Sequence, residues 1–169
     1  RWKLLMRSDL HLFYYWLKKH ALAKAKNKVF ACQALRGESG YNITINADMT
    51  VSCNCQDYSG RGRLGSLRDS SFEDLMAGDT ATQFRDALSK GRLPVLECGV
   101  CGETQMIDRS QAELDWNRTR VPTNGILIEN TRRCNLLCTA CVEAKQHSLI
   151  DNRASASLED IAFISENVI

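Results

Sequence analysis

The chain has 169 residues, 44% of them apolar and 25% charged, a composition that suits one or two globular domains. No run approaches the roughly 20 apolar residues of a membrane-spanning helix, so no membrane span is expected. The net charge of +2 conceals a division: residues 1–36 carry nine Lys/Arg against one Asp, and the remainder carries 13 against 19 Asp/Glu. Such a basic segment could meet RNA, an acidic partner or lipid headgroups. No aromatic–basic pattern accompanies it, so a solvated helix face is the expectation and nucleic acid is not an expected partner. The first residue is Arg1, which suggests a fragment of a longer protein.

Residues 2–26 read as a helix whose apolar face is Leu5, Leu12 and Trp16, with Phe13 and Tyr15 beside them, and whose tail is rich in lysine. Residues 41–53 read as a hairpin. Asn42-Ile43-Thr44-Ile45-Asn46 and Met49-Thr50-Val51-Ser52-Cys53 alternate polar and apolar, with Ala47-Asp48 turning between them. The glycine-rich stretch 59–66 lacks the Lys-Ser/Thr of a phosphate loop and is read as a loop only. Ser70-x-x-Glu73 predicts a capping box opening one helix that closes at Gly78. Thr80-x-x-Gln83 predicts a second helix that buries Phe84 and Leu88 and stops at Gly91.

The polar stretch 105–123 reads as a connection with a helical turn or two, anchored by Trp116. Gly125–Glu129, with Ile126, Leu127 and Ile128 consecutive, suits a parallel strand buried on both faces. Ser157-x-x-Asp160 then caps a final helix with a face of Leu158, Ile161, Ile164, Ser165 and Val168.

The eight cysteines fall as Cys32, then Cys53 and Cys55, then Cys98 and Cys101, then Cys134, Cys138 and Cys141. Close pairs such as C-x2-C favour metal over disulfides, and metal-bound thiolates imply a reducing compartment, so a cytoplasmic location is expected. The last three, spaced C-x3-C-x2-C, can hold three irons of a four-iron cluster and leave the fourth iron open to a substrate or cofactor.

The run from Ile126 through Arg132-Arg133-Cys134 to Cys141 resembles the signature of the radical S-adenosylmethionine (radical SAM) enzymes, whose cysteine loop follows the first strand of a partial (β/α) barrel. The resemblance implies a 4Fe–4S cluster on Cys134, Cys138 and Cys141, with S-adenosylmethionine bound at the open iron. Reductive cleavage there gives a 5′-deoxyadenosyl radical that abstracts hydrogen from a substrate. It also implies an electron donor such as flavodoxin or ferredoxin. Ala140 stands where the family usually has an aromatic residue and uses the backbone near the adenine. The family's Gly-Gly-Glu motif does not occur before Ile169, so the 169 residues alone are expected to be inactive.

Upstream, Cys32, the hairpin ending in Cys53, Leu64-Gly65, two short helices and Pro94-x3-Cys98-x2-Cys101 resemble the auxiliary-cluster domains of the SPASM and twitch type. That resemblance implies one auxiliary 4Fe–4S cluster on Cys32, Cys53, Cys98 and Cys101, with Cys55 the alternative to Cys53, and tilts the substrate towards a peptide or protein, with carbohydrate and other small-molecule substrates still open. In the familiar enzymes this domain follows the barrel; here it precedes it.

The expected fold class is α+β. A basic amphipathic helix (1–29) leads into a SPASM/twitch-like hairpin-and-helices domain (30–104), a linker (105–123) and the first βα unit of a radical SAM barrel (124–169). Two other readings stay open at this point. One is a non-catalytic iron–sulfur electron-transfer module. The other is a zinc-stabilised interaction domain, in which four cysteines, or three with His147, bind zinc.

Overall fold

The computed structural model describes residues 2–40, 43–54, 57, 59–115, 125–130 and 155–168. Within them the fold is mixed α and β. Helix α1 (Trp2–Ala25) is followed by β1 (Val29–Cys32), β2 (Thr44–Ile45), β3 (Thr50–Ser52), β4 (Arg63–Ser66), α2 (Phe72–Ala77), α3 (Asp79–Ser89), β5 (Thr104–Ile107), α4 (Arg109–Asp115), β6 (Leu127–Ile128) and α5 (Leu158–Asn167). Among the described residues no helix is long and apolar enough to cross a membrane.

Two residues beyond the end of α1, Asn27 takes a left-handed φ of 51°, which Asn tolerates better than most side chains. The docked face of α1 keeps Trp16 and the partly buried Leu12 of the expected one and differs at its flanks. Phe13 and Tyr15 are exposed, whereas Trp16, Lys19, His20 and Ala23 turn inward. These positions follow the i, i+3, i+4, i+7 spacing of one helix stripe. The stripe is half polar, and its polar groups are answered by backbone. Trp16 Nε1 donates to the Leu93 carbonyl at 3.2 Å, and His20 Nε2 accepts from the Leu93 amide at 3.0 Å. The His20 Nδ1 faces the Trp16 carbonyl at 2.9 Å, which assigns the ring proton to Nδ1.

The hairpin forms as expected, with Thr44 opposite Ser52 and Ile45 opposite Val51. Its turn is held by the Asp48 carboxylate, which accepts from the Thr50 amide at 3.0 Å in an Asx-type bond. The glycine-rich stretch contributes more than a loop: its end becomes β4, antiparallel to β3 with a register irregularity at Val51/Ser52. On the other edge β6 runs parallel to β2, giving the order β4-β3-β2-β6. The parallel pairing agrees with the sequence reading. Burial on both faces does not, because Leu127 is 41% exposed on an edge strand.

A second, two-stranded sheet pairs β1 with β5, Cys32 lying opposite Thr104. The stretch read as a connection therefore opens with a strand, and α4 supplies the helical turns after it. Trp116 lies outside the described residues.

Helix α2 is capped by Ser71 with Asp74, one residue later than expected, and α3 starts at Asp79 behind Gly78. Phe30, Ile45, Val51, Phe72, Met76, Leu88 and Ile164 lie in one core, so α5 packs into the same interior as the hairpin. Of the face expected on α5, Ile164 alone is fully buried, and Leu158 is 90% exposed. The Ser157–Asp160 capping box is formed, and Asp160 pairs with Arg68 at 3.1 Å. Ser157→Ala is expected to cost about 1 kcal/mol. Faster amide hydrogen exchange in the first turn of α5, with the rest of the chain unchanged, is the measurement that checks it.

Candidate metal centre

Three segments deliver four thiols. Cys32 ends β1, and the tight turn Ala34–Arg36 behind it carries the Ala34 and Leu35 amides to its sulfur. Cys53 follows β3, tied to the glycine-rich loop by its amide, which donates to the Gly62 carbonyl at 3.0 Å. Cys98 sits in the turn Leu96–Gly99 and accepts from the Thr104 side chain; Cys101 follows it and accepts from Asn54 Nδ2 at 3.3 Å. All four are free thiols and partly buried.

The four sense one another electrostatically. Burial pushes the Cys32 thiol up to about 12, with the Leu35 and Ala34 amides pulling it down and the Cys101 and Cys98 thiolates pushing it further up. Burial likewise raises Cys98 to about 11 and Cys53 well above its ordinary value, the latter reinforced by Cys32, Cys98 and the Asp57 carboxylate. Among the described residues, no three His, Cys, Asp or Glu side chains are drawn together tightly enough to hold one metal ion as they stand. The thiols are neighbours rather than a closed chelate. Their donor chemistry fits an iron–sulfur cluster or zinc, because soft sulfur ligands select both. A bound cation would supply the positive charge that these buried thiols lack when they ionise.

Two close approaches shape the site. A methyl group on Gly62 would sit 3.0 Å from the Cys53 sulfur and 3.3 Å from the Asp57 carboxylate. A methyl on Gly99, inside the C-x2-C, would sit 2.6 Å from the Trp16 backbone nitrogen. Helix α1 thus lies directly on the loop carrying Cys98 and Cys101. Lys19 fastens it, its ammonium donating to the Cys98 carbonyl at 3.1 Å and the Cys101 carbonyl at 3.2 Å. Burial lowers the Lys19 pKa, and the Cys101, Cys98 and Cys32 thiolates hold it up. At the outer rim Arg61 joins Asp9 of α1 to Glu97 of the loop at 3.3 and 3.2 Å.

On the Cys32 side, Arg85 of α3 donates from Nε and Nη2 to the Leu35 carbonyl at 3.2 and 3.0 Å, and from Nη2 to the Met76 carbonyl at 2.7 Å. It holds the turn that cradles the Cys32 sulfur.

Cys32, Cys53, Cys98 and Cys101, the set implied by the resemblance to an auxiliary-cluster domain, lie within reach of one another's charge. Cys55, Cys134, Cys138, Ala140, Cys141 and His147 lie outside the described residues. Lys19, Arg85 and Gly99 were not expected as parts of the site. The signal for Lys19 was its place three residues after Trp16 on one helix face, which the apolar-face reading passed over.

The raised thiol pKa values fix a pH dependence for the metal-free protein. Between about pH 9 and the folded values near 11 and 12, the unfolded chain has released these protons and the folded chain has not. The contribution of these thiols to folding stability is therefore fully present below about pH 9 and falls as the pH rises through that window. Denaturant unfolding at stepped pH checks this, and Cys32→Ala should flatten the upper part of the decline.

No family model, no curated protein and no solved structure matches the chain.

Proposed function

We propose that the chain is the cluster-bearing segment of a radical SAM enzyme. In this reading Cys32, Cys53, Cys98 and Cys101 hold an auxiliary iron–sulfur cluster, and Cys134, Cys138 and Cys141 hold the 4Fe–4S cluster that takes S-adenosylmethionine. The observation that carries it is the gathering of four thiols, spread from residue 32 to residue 101, into mutual electrostatic reach. The C-x3-C-x2-C loop adds the position for an open iron, and β6 just before it supports the strand-then-loop order of a barrel's first unit.

Cys134, Cys138 and Cys141 would hold the cluster, which with bound S-adenosylmethionine would supply hydrogen-abstraction chemistry. The chain's own groups hold and shield the metals. The Ala34 and Leu35 amides, Thr104 and Asn54 meet the sulfurs, and helix α1 covers the C-x2-C loop. Hydrogen bonds to sulfur and restricted solvent access are the protein's levers on cluster potential. The partners of this reading are S-adenosylmethionine, a flavodoxin- or ferredoxin-type donor and a peptide or protein substrate, in the reducing cytoplasm.

Anaerobic reconstitution with iron and sulfide decides it. Brown protein with iron–sulfur absorbance, carrying two clusters, and formation of 5′-deoxyadenosine by the full-length enzyme with dithionite are expected. A colourless protein with stoichiometric zinc sinks the cluster reading in favour of a structural zinc site. Clusters without S-adenosylmethionine cleavage leave an electron-transfer module.

A further inference from the structure

Four basic side chains among the described residues are partly buried: Lys19, Lys28, Arg36 and Arg85. Lys28 pairs with Asp108 at 2.8 Å and Arg36 with Glu38 at 3.1 Å. Lys19 and Arg85 have no carboxylate partner among the described residues; each donates to backbone carbonyls only. The charged groups they sense are cysteines: Cys101, Cys98 and Cys32 for Lys19, and Cys32 for Arg85.

A charge taken out of water without a counter-charge is costly, and carbonyl dipoles offset only part of that cost. Both cations are nevertheless held by several hydrogen bonds at defined places. Lys19 grips the two carbonyls of the cysteine pair itself. Arg85 grips the turn whose amides meet the Cys32 sulfur. With neutral thiols these are two partly buried cations without a counter-charge; with thiolates they are matched. Asp57 lies beside Cys53, Glu97 is engaged by Arg61, and Asp86, next to Arg85 on α3, is engaged by Lys90 and Arg92.

We propose that Lys19 and Arg85 are built-in counter-ions of the four-thiolate centre, one at the C-x2-C end and one at the Cys32 end. They favour metal uptake and make the bound cluster easier to reduce. This role rests on the metal reading of the same four cysteines. A cluster on four thiolates is anionic and gains a further negative charge on reduction, so a fixed cation favours the reduced form more than the oxidised one. Both are positioning residues, because they reach the centre through its backbone carbonyls and their charge.

The test uses the full chain in a Cys134→Ala/Cys138→Ala/Cys141→Ala background, which leaves the upstream centre alone. Lys19→Gln and Arg85→Gln remove charge and keep a donor; Lys19→Arg and Arg85→Lys keep the charge. Two readouts are taken: the midpoint of an electron-paramagnetic-resonance redox titration after reconstitution, and cobalt(II) affinity of the metal-free thiols from the thiolate charge-transfer band. Each Gln variant is expected to shift the one-electron equilibrium about tenfold towards the oxidised form, ~59 mV lower. Each should also weaken cobalt binding about tenfold, with the charge-preserving variants near wild type. Either cation decides independently, should one variant fail to fold. Full loading with an unchanged midpoint and unchanged cobalt affinity in a folded Gln variant overturns the counter-ion role and leaves the cluster standing. Wild-type protein that binds neither cobalt nor iron at these cysteines overturns both.

Discussion

Gly99→Ala is expected to lift helix α1 from the C-x2-C loop. The added methyl would lie 2.6 Å from the Trp16 nitrogen, 2.7 Å from its Cα and 3.0 Å from the Tyr15 carbonyl carbon. All three are backbone atoms of a regular helix, so no side-chain rotation relieves the clash and the helix itself must move. Moving it strains three docking contacts together: Trp16 to the Leu93 carbonyl, the Leu93 amide to His20, and Lys19 to the two cysteine carbonyls. Overpacking against an unyielding wall costs about 3 kcal/mol. In a chain of this size that corresponds to a fall of roughly 6–12 °C in the unfolding midpoint. The Trp16 emission should shift to longer wavelength as its ring gains water. Gly102→Ala is the control, since nothing lies within 4 Å of a methyl there. Equal midpoints for the two variants would contradict the docking of α1 on this loop.

The second large effect concerns the thiols themselves. Cys32→Ser, Cys53→Ser, Cys98→Ser and Cys101→Ser should each remove the entire auxiliary cluster rather than a fraction of it, because an anionic centre deprived of one thiolate exposes an iron and decays. Iron and acid-labile sulfide should fall together by one cluster's complement, with the signal of the Cys134–Cys138–Cys141 cluster retained. Cys55→Ser should leave the content unchanged. The proposed reading favours Cys53 over Cys55 because Cys53 ends the hairpin, its amide is tied to Gly62, and its sulfur shares the field of Cys32, Cys98 and Cys101. Full retention of iron in Cys53→Ser alongside loss in Cys55→Ser would reverse that assignment.

What the sequence disclosed was what short-range chemistry writes. The hairpin announced itself by alternation around Ala47-Asp48, and α5 by the reciprocal cap of Ser157 and Asp160. Spacing alone marked the Cys98–Cys101 pair, and the set of four came from the resemblance of the whole stretch to an auxiliary-cluster domain. Strand β4 was not, because Arg63-Leu64-Gly65-Ser66 offers one buried apolar side chain and owes its pairing to β3. Strand β5 was hidden for a similar reason: Thr104–Ile107 is held by β1, whose residues lie far back in the chain. The polar half of the α1 face was not legible, because Lys19 and His20 bury polar atoms only where a carbonyl or amide waits. Hydropathy cannot see that partner. Arg85 escaped notice likewise, since its worth lies in the Leu35 and Met76 carbonyls.

The ladder joining β6 to β2 sets an order of events during synthesis. The Ile43 and Ile45 carbonyls receive the Leu127 and Glu129 amides at 2.9 and 2.8 Å, and the Glu129 carboxylate takes the Ala47 amide, 82 residues away. Until that late segment leaves the ribosome, the hairpin presents an open edge with unpaired backbone groups, the feature through which nascent chains associate wrongly. Truncation before Gly125 should therefore yield a stickier product, although it would spare every thiol of the upstream centre.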